Sequence, residues 1–359
     1  MKNDKLLYSE IKQLIEKAKS YIVQNVNTTL VFTYYHIGKM IVEDEQQGSE
    51  RAKYAEKTLG NLSKKLTKDF GRGYTKRNLE LMRKFYITFS KTKSLISQSK
   101  KTKSSIAQSE NSQYKRGSQT KPIIMQFGEL FKLSWTQYIF LMKIENEDER
   151  NFYEIETTNN NWSVRELARQ YNSSLYERIA LSKDKKKITE LSKKGQLIVK
   201  PIDMLKEPYI LEFLELKEES VYTETELETA LINKLENFLL ELGKGFLFQS
   251  RQQRISFDGK NFYIDLVFYN RILKCFVLID LKIGELTHQD IGQMQMYVNF
   301  YDREIKAKEE NKTVGLVLCK QTNKAVVEYT LPENNDQVFA REYKVYLPSK
   351  KQLQNLLLG

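Results

Sequence analysis

Two runs, NFYIDLVFYN at 261–270 and LKCFVLIDLKI at 273–283, are dominated by branched and aromatic residues and stand two residues apart. They read as adjacent strands joined by a tight turn near Asn270 and Arg271. The second run carries an aspartate and a lysine, Asp280 and Lys282, in a stretch that otherwise looks buried. Side chains alternate along a strand, so both charges leave one face while Ile279, Leu281 and Ile283 take the other. Asp265 lies centrally in the first run, and a hairpin brings its carboxylate toward that of Asp280.

These strands belong to a longer alternating pattern. TELETALINKLENFLLELGKG, from residue 225, predicts an amphipathic helix closed by Gly243 and Gly245. Thr287 and Asp290 predict a capped start to the helix HQDIGQMQMYVNFYD, and TVGLVLC, AVVEYTL and REYKVYL read as further strands. Residues 201–359 are therefore expected to form a mixed α/β domain around one central sheet.

Upstream the periodicity is helical. Leu59, Leu62, Leu66 and Phe70 share one helical stripe, GRGY interrupts it, and Thr75 caps a second helix through Leu79, Met82 and Phe85. The second helix displays Lys76, Arg77, Arg83 and Lys84, as the recognition element of a helix-turn-helix would; a helical hairpin with a polar outer face is the competing reading. NNWSVRELARQ has Ser163 three residues before Glu166, a capping-box pattern opening a helix with Arg165 and Arg169. Trp135 and Trp162 read as core anchors. KTKSLISQS recurs as KTKSSIAQS within 91–121, a segment of Ser, Gln and Lys too polar to bury a core and read as a flexible low-complexity insertion. Residues 1–90 and 122–200 then make a helical, DNA-binding-like N-terminal domain.

A net charge of +12 points to a polyanionic partner, nucleic acid first. Cys275 and Cys319 lie in apolar runs without metal-ligand spacing, which argues against a disulfide scaffold or a zinc site. No stretch of 18 apolar residues occurs, so the expectation is a soluble, cytoplasmic protein with no membrane partner. His36 and His288 read as packed or solvated rather than catalytic.

Two carboxylates held close in a partly buried site repel, and a divalent cation relieves that repulsion. Oxygen donors at this density suit Mg²⁺ or Mn²⁺ and leave positions for water and a phosphate oxygen. Lys282 would orient the water or offset transition-state charge. On the preceding helix Glu228 lies at the inner edge of the apolar stripe, facing the sheet, while Glu224, Glu226 and Glu241 look exposed or terminal. Gln293 and Tyr297, one turn apart, share a face that would meet substrate phosphate. The bland alternative is an edge-strand ion pair worth ~0–1 kcal/mol.

Glu228 on a helix, Asp265, DLK at 280–282 and Q-x-x-x-Y at 293–297 together resemble the PD-(D/E)XK nuclease superfamily. The chain is similar above all to the YhcG-type bacterial family, through EPYILEFL, FLLELGKGF, YIDLVFYNRILKCFVLIDLKIGE, GQMQMY and GLVLC, with LSWTQY and NNWSVRELARQ upstream. The likeness spans nearly everything but 91–121. It implies a restriction-endonuclease-like core behind a helical N-terminal domain. Asp265, Asp280 and the backbone carbonyl of Leu281 would hold the metal, Glu228 would add to them, and Lys282 would act on water. Ile264 stands where the motif has proline. The expectation is a Mg²⁺-dependent DNA endonuclease, with a non-catalytic DNA-binding or regulatory protein on the same scaffold as the rival. RNA as substrate, and a homodimer or higher oligomer, stay open.

Overall fold

The computed structural model describes residues 2–47, 52–105, 131–182, 185–216 and 222–358. The chain forms two compact units, one of Met1–Arg150 with Asn161–Val164, the other of Asn151–Asn160 with Arg165–Gly359.

The first unit is helical. It contains α1 (Lys2–Gln47), α2 (Ala52–Phe70), α3 (Lys76–Ser105) and α4 (Trp135–Leu141). Between α2 and α3 the chain turns through Gly71, whose φ of 89° suits a residue without a Cβ, and a short 3₁₀ turn. The expected helix–turn–helix connectivity is present, but α3 is 30 residues long and lies along α1. Val31, Tyr34 and Ile41 are buried on α1, and Leu79, Met82, Phe85 and Phe89 on α3. Gly38 sets the closeness of these helices: a Cβ there would stand 2.0 Å from the Met82 carbonyl oxygen. Trp135 packs edge-on against Tyr34 and Phe85, and Trp162 is buried, so both tryptophans anchor the core as read from sequence. Phe70, predicted on the α2 stripe, is instead 70% exposed. Helix α3 continues to Ser105, so the first half of the segment expected to be a flexible insertion is helical; 106–121 lies outside the described residues.

The second unit is built on a six-stranded sheet in the order β1-β6-β5-β4-β3-β2. Its elements begin within α5 (Glu147–Asn160) and run through α6 (Val164–Asn172), α7 (Leu175–Leu181), α8 (Lys185–Lys194), β1 (Tyr209–Ile210), α9 (Glu224–Asn233) and α10 (Leu235–Leu242). They continue with β2 (Phe246–Phe257), β3 (Lys260–Asn270), β4 (Cys275–Glu285), α11 (His288–Phe300), β5 (Val314–Gln321), α12 (Lys324–Thr330), β6 (Val338–Lys344) and α13 (Lys350–Leu358). Strands β2, β3 and β4 are antiparallel, while β4, β5, β6 and β1 run parallel. Helices α9 and α10 cover one face, with Leu227, Leu231 and Phe238 on Leu266, Phe268 and Ile279. Helix α11 covers the other, with Ile291, Met294 and Val298 on Val267, Leu278 and Val317. A strand covered on both faces has no reason to alternate, which is why β4 reads as a continuous apolar run.

Four expectations change. AVVEYTL is helix α12 rather than a strand, because Asn323 accepts from the amides of Ala325 and Val326 and starts a helical turn. The single helix expected over TELETALINKLENFLLELGKG breaks at Lys234 into α9 and α10. Strand β2, whose middle reads SRQQR, gave no periodic signal. Glu241, read as exposed or terminal, is fully buried: Arg178, itself fully buried, stands 2.5 Å away, Arg169 lies at 3.5 Å, and the Ile210 amide donates to it at 2.9 Å. Through that network α6 and α7, expected in the N-terminal domain, pack into the sheet-bearing unit.

Candidate active site

The site forms where the β3–β4 ladder ends. Pairing runs from Asn270 opposite Cys275 to Leu266 opposite Ile279. One residue further, the Asp265 carboxylate takes over, its Oδ2 accepting from the Leu281 amide at 2.8 Å. On β4 the side chains of Asp280 and Lys282 share a face, as alternation requires, and lie 3.0 Å apart, Oδ2 to Nζ. Lys282 is also 3.7 Å from Glu224, at the start of α9.

Glu228 is 5% exposed and reaches the same place from α9. It is tied there by Gln252 on β2, whose side-chain amide donates to Glu228 Oε2 at 2.6 Å and to Asp265 Oδ1 at 3.0 Å. From the opposite layer, Tyr297 on α11 donates its hydroxyl proton to the Tyr263 carbonyl at 2.9 Å and accepts from Gln293 at 2.5 Å. The structure thus brings Glu228, Asp265, Asp280, Lys282, Gln293 and Tyr297 around one end of the β3–β4 seam. Tyr297, expected to meet phosphate, is fully buried with its hydroxyl engaged, so it braces β3 beside Asp265. Gln293, half-buried, keeps the outer position.

The electrostatics are those of acidic side chains crowded in a partly buried space. Burial, joined by the negative charge of Asp265, pushes the Asp280 carboxyl up to about 7 against the pull of Lys282. Burial lowers the Lys282 ammonium's hold on its proton, but the charge of Asp280 outweighs it and keeps Lys282 protonated. Burial also raises Glu228, an effect eased by the Gln252 bond and deepened by Asp265. Burial and then the Asp280 charge push the Tyr297 phenol up to about 12. Asp280 is buried, and its Oδ2 pairs with the Lys282 ammonium 3.0 Å away. That carboxylate, beside the second one of Asp265, fits a hard divalent cation. Among the described residues no group of three His, Cys, Asp or Glu side chains is placed to hold a metal ion, so Glu228, Asp265 and Asp280 do not form a three-carboxylate site as they stand; Mg²⁺ needs one or two carboxylates, with water and phosphate completing its shell.

The basic residues singled out upstream divide. Arg77, Lys84 and Arg165 are exposed. Lys76 is half-buried and pairs with Glu80 at 4.0 Å. Arg83 donates to Glu45 at 2.6 Å and ties α3 to α1. Arg169 pairs with Glu212 at 3.1 Å as well as with Glu241, and lies over the Phe213 ring. Two of the six therefore serve the fold. Gln252 went unnoticed in the sequence, where nothing distinguishes it from its polar neighbours.

Family models match both parts of the chain: a DUF1016 N-terminal domain over residues 10–178 and a YhcG PDDEXK nuclease domain over 202–358. A protein of Escherichia coli (strain K12) named "Putative nuclease YhcG" is 36% identical over 353 residues, 98% of this chain and 93% of that protein. The chain belongs to the YhcG family. The YhcG nuclease model spans every residue of the seam, from Glu228 to Tyr297, and the DUF1016 model spans the basic face of α3. Two solved structures show weaker likeness. A repair endonuclease from Pyrococcus abyssi is 17% identical, with a TM-score of 0.24 over 36% of this chain and 50% of that one. An EndoMS–dsDNA2 complex is 18% identical, with a TM-score of 0.26 over 38% and 50%. This chain therefore spans about half the length of each. Among the described residues no helix is long and apolar enough to cross a membrane.

Proposed function

We propose that this YhcG-family chain is a divalent-metal-dependent endonuclease that hydrolyses DNA phosphodiester bonds, with Mg²⁺ or Mn²⁺ as its ion. The observation that carries the reading is the buried Asp280 carboxylate beside that of Asp265, with the Lys282 ammonium 3.0 Å from its Oδ2. Asp265 and Asp280 would hold the ion, with Glu228 and the Leu281 carbonyl as further donors. When bound, such an ion supplies a Lewis acid and an acidified water.

The remaining work falls to the chain. Lys282, an ammonium 3.0 Å from Asp280 and 3.7 Å from Glu224, has a donor left to orient the attacking water and to offset the charge that builds on phosphorus. Tyr297 keeps β3 at fixed distance from α11, which holds Asp265 in place. Gln293 is the residue of the α11 pair that is open to a phosphate oxygen. The exposed Arg77, Lys84 and Arg165, in a chain of net charge +12, support nucleic-acid binding by the upstream helices. Cys275 and Cys319 are both buried and free, in keeping with a reducing, cytoplasmic setting.

The test is cleavage of duplex, branched and single-stranded DNA, and of RNA, with and without Mg²⁺ or Mn²⁺. Lys282→Ala should retain folding and DNA affinity while slowing single-turnover cleavage by at least ~10²-fold. Wild-type cutting by that variant would remove the Asp280–Lys282 pair from the chemistry, and no cutting of any substrate by the native chain would favour a non-catalytic DNA-binding protein. Preferential cutting of RNA would reassign the substrate.

A further inference from the structure

Gln252 has no part in the chemistry above, yet its geometry is the most unusual of the site. Its φ is 45°, in the left-handed region that a non-glycine residue rarely adopts. On either side of it the strands are in register, Arg251 opposite Leu266 and Gln253 opposite Ile264. The distortion is therefore local to residue 252, opposite Asp265. It coincides with an amide whose two protons are both spent on carboxylates from different elements, Glu228 of α9 at 2.6 Å and Asp265 of β3 at 3.0 Å. Among the described residues neither carboxylate has an ion-pair partner. A neutral NH₂ group bridges these two acids, with the Leu281 amide also donating to Asp265.

We propose that Gln252 is a placeholder for the metal ion: its amide bridges Glu228 and Asp265 while the ion is absent and is released from them when the ion binds. The inference rests on the metal reading of the site. Two donated hydrogen bonds stabilise only the metal-free state, so they weaken metal binding relative to the same carboxylates left unbridged. The chain then holds its ion loosely by itself, and retention depends on the extra ligands that a nucleic-acid phosphate brings. Such an arrangement links metal loading to substrate.

The experiment is Mn²⁺ binding to the full-length protein without nucleic acid, by calorimetry and by the rise in melting temperature over an EDTA control. Gln252→Gly removes the amide and accepts a φ of 45° without strain. It should bind Mn²⁺ about fivefold more tightly, the equivalent of ~1 kcal/mol of relinquished hydrogen bonding, and show the larger thermal shift. Gln252→Glu, of the same shape but adding a third acid, should melt lower in EDTA and bind Mn²⁺ more tightly than the native chain. Equal or weaker binding by Gln252→Gly, with the native protein still binding, overturns the placeholder alone and makes Gln252 a brace that the metal site needs. Absence of Mn²⁺ binding in all three proteins overturns it together with the metal reading.

Discussion

Replacing Glu241 with glutamine removes the carboxylate paired with the buried Arg178 guanidinium while keeping a carbonyl for the Ile210 amide. Burial alone would raise this carboxyl, but Arg178, Lys206 and Arg169 overcome that and hold it down at about 2, against an ordinary 4.5. A depression of that size corresponds to ~3 kcal/mol of stability by linkage. A second route agrees: deleting one partner of a buried ion pair costs about 3–5 kcal/mol, because the remaining charge is stranded. Arg178 cannot shed its proton. Lys206 can, since burial lowers it to about 7 with Glu241 as its chief support, so its release trims the loss toward the lower figure. For a unit of this size ~3 kcal/mol lowers the melting temperature by roughly 6–12 °C. The sign with pH follows from a depressed acid: the contribution is complete above the unfolded value near 4.5 and is lost as pH falls through about 2. Urea unfolding of native and Glu241→Gln proteins at pH 7.5 and pH 3 should therefore show a gap that shrinks by more than half at the lower pH. A gap below about 1 kcal/mol at pH 7.5, or one that stays constant, would mean the network is not an ion-pair core.

Asp280→Asn removes a charge that burial and then Asp265 disfavour, so in EDTA at pH 8 it should raise stability, on the order of 2 kcal/mol, while in Mg²⁺ its cleavage is abolished; a less stable variant contradicts that reading. The double change Arg77→Ala with Lys84→Ala should flatten the log–log salt dependence of DNA binding by about two units, measured by fluorescence anisotropy, and an unchanged slope would remove that face of α3 from the interface. Gly38→Ala places a carbon 2.0 Å from the Met82 carbonyl oxygen, and should destabilise the helical unit by ~1–3 kcal/mol in thermal melts followed by circular dichroism; a neutral result would refute the close α1–α3 crossing.

Much of the site was legible because it obeys strand and helix periods. Asp280 and Lys282 share a face by alternation, Glu228 falls at the inner edge of a 3.6-residue stripe, and Thr287 with Asp290 forms the expected capping box. What was hidden depends on tertiary partners. Gln252 matters through a left-handed backbone turn that no pattern of side chains announces. Glu241 is buried only because three cations from elsewhere in the chain surround it, and Arg83 and Arg169 look like surface charges until Glu45 and Glu212 are placed beside them. AVVEYTL has strand composition, yet a single asparagine at its start turned it into a helix.

The Leu281 amide has a consequence for how the site can be watched. Its hydrogen bond goes to a side chain, Asp265 Oδ2, where the β3 backbone no longer pairs. A ladder amide exchanges with solvent deuterium only when the strand opens, whereas this one is shielded for as long as one carboxylate stays turned toward it. Its exchange rate, or its nitrogen chemical shift, therefore records where that carboxylate points. One backbone proton at the centre of the sheet becomes an intrinsic sensor of the site's state, readable without a substrate, a label or a catalytic cycle.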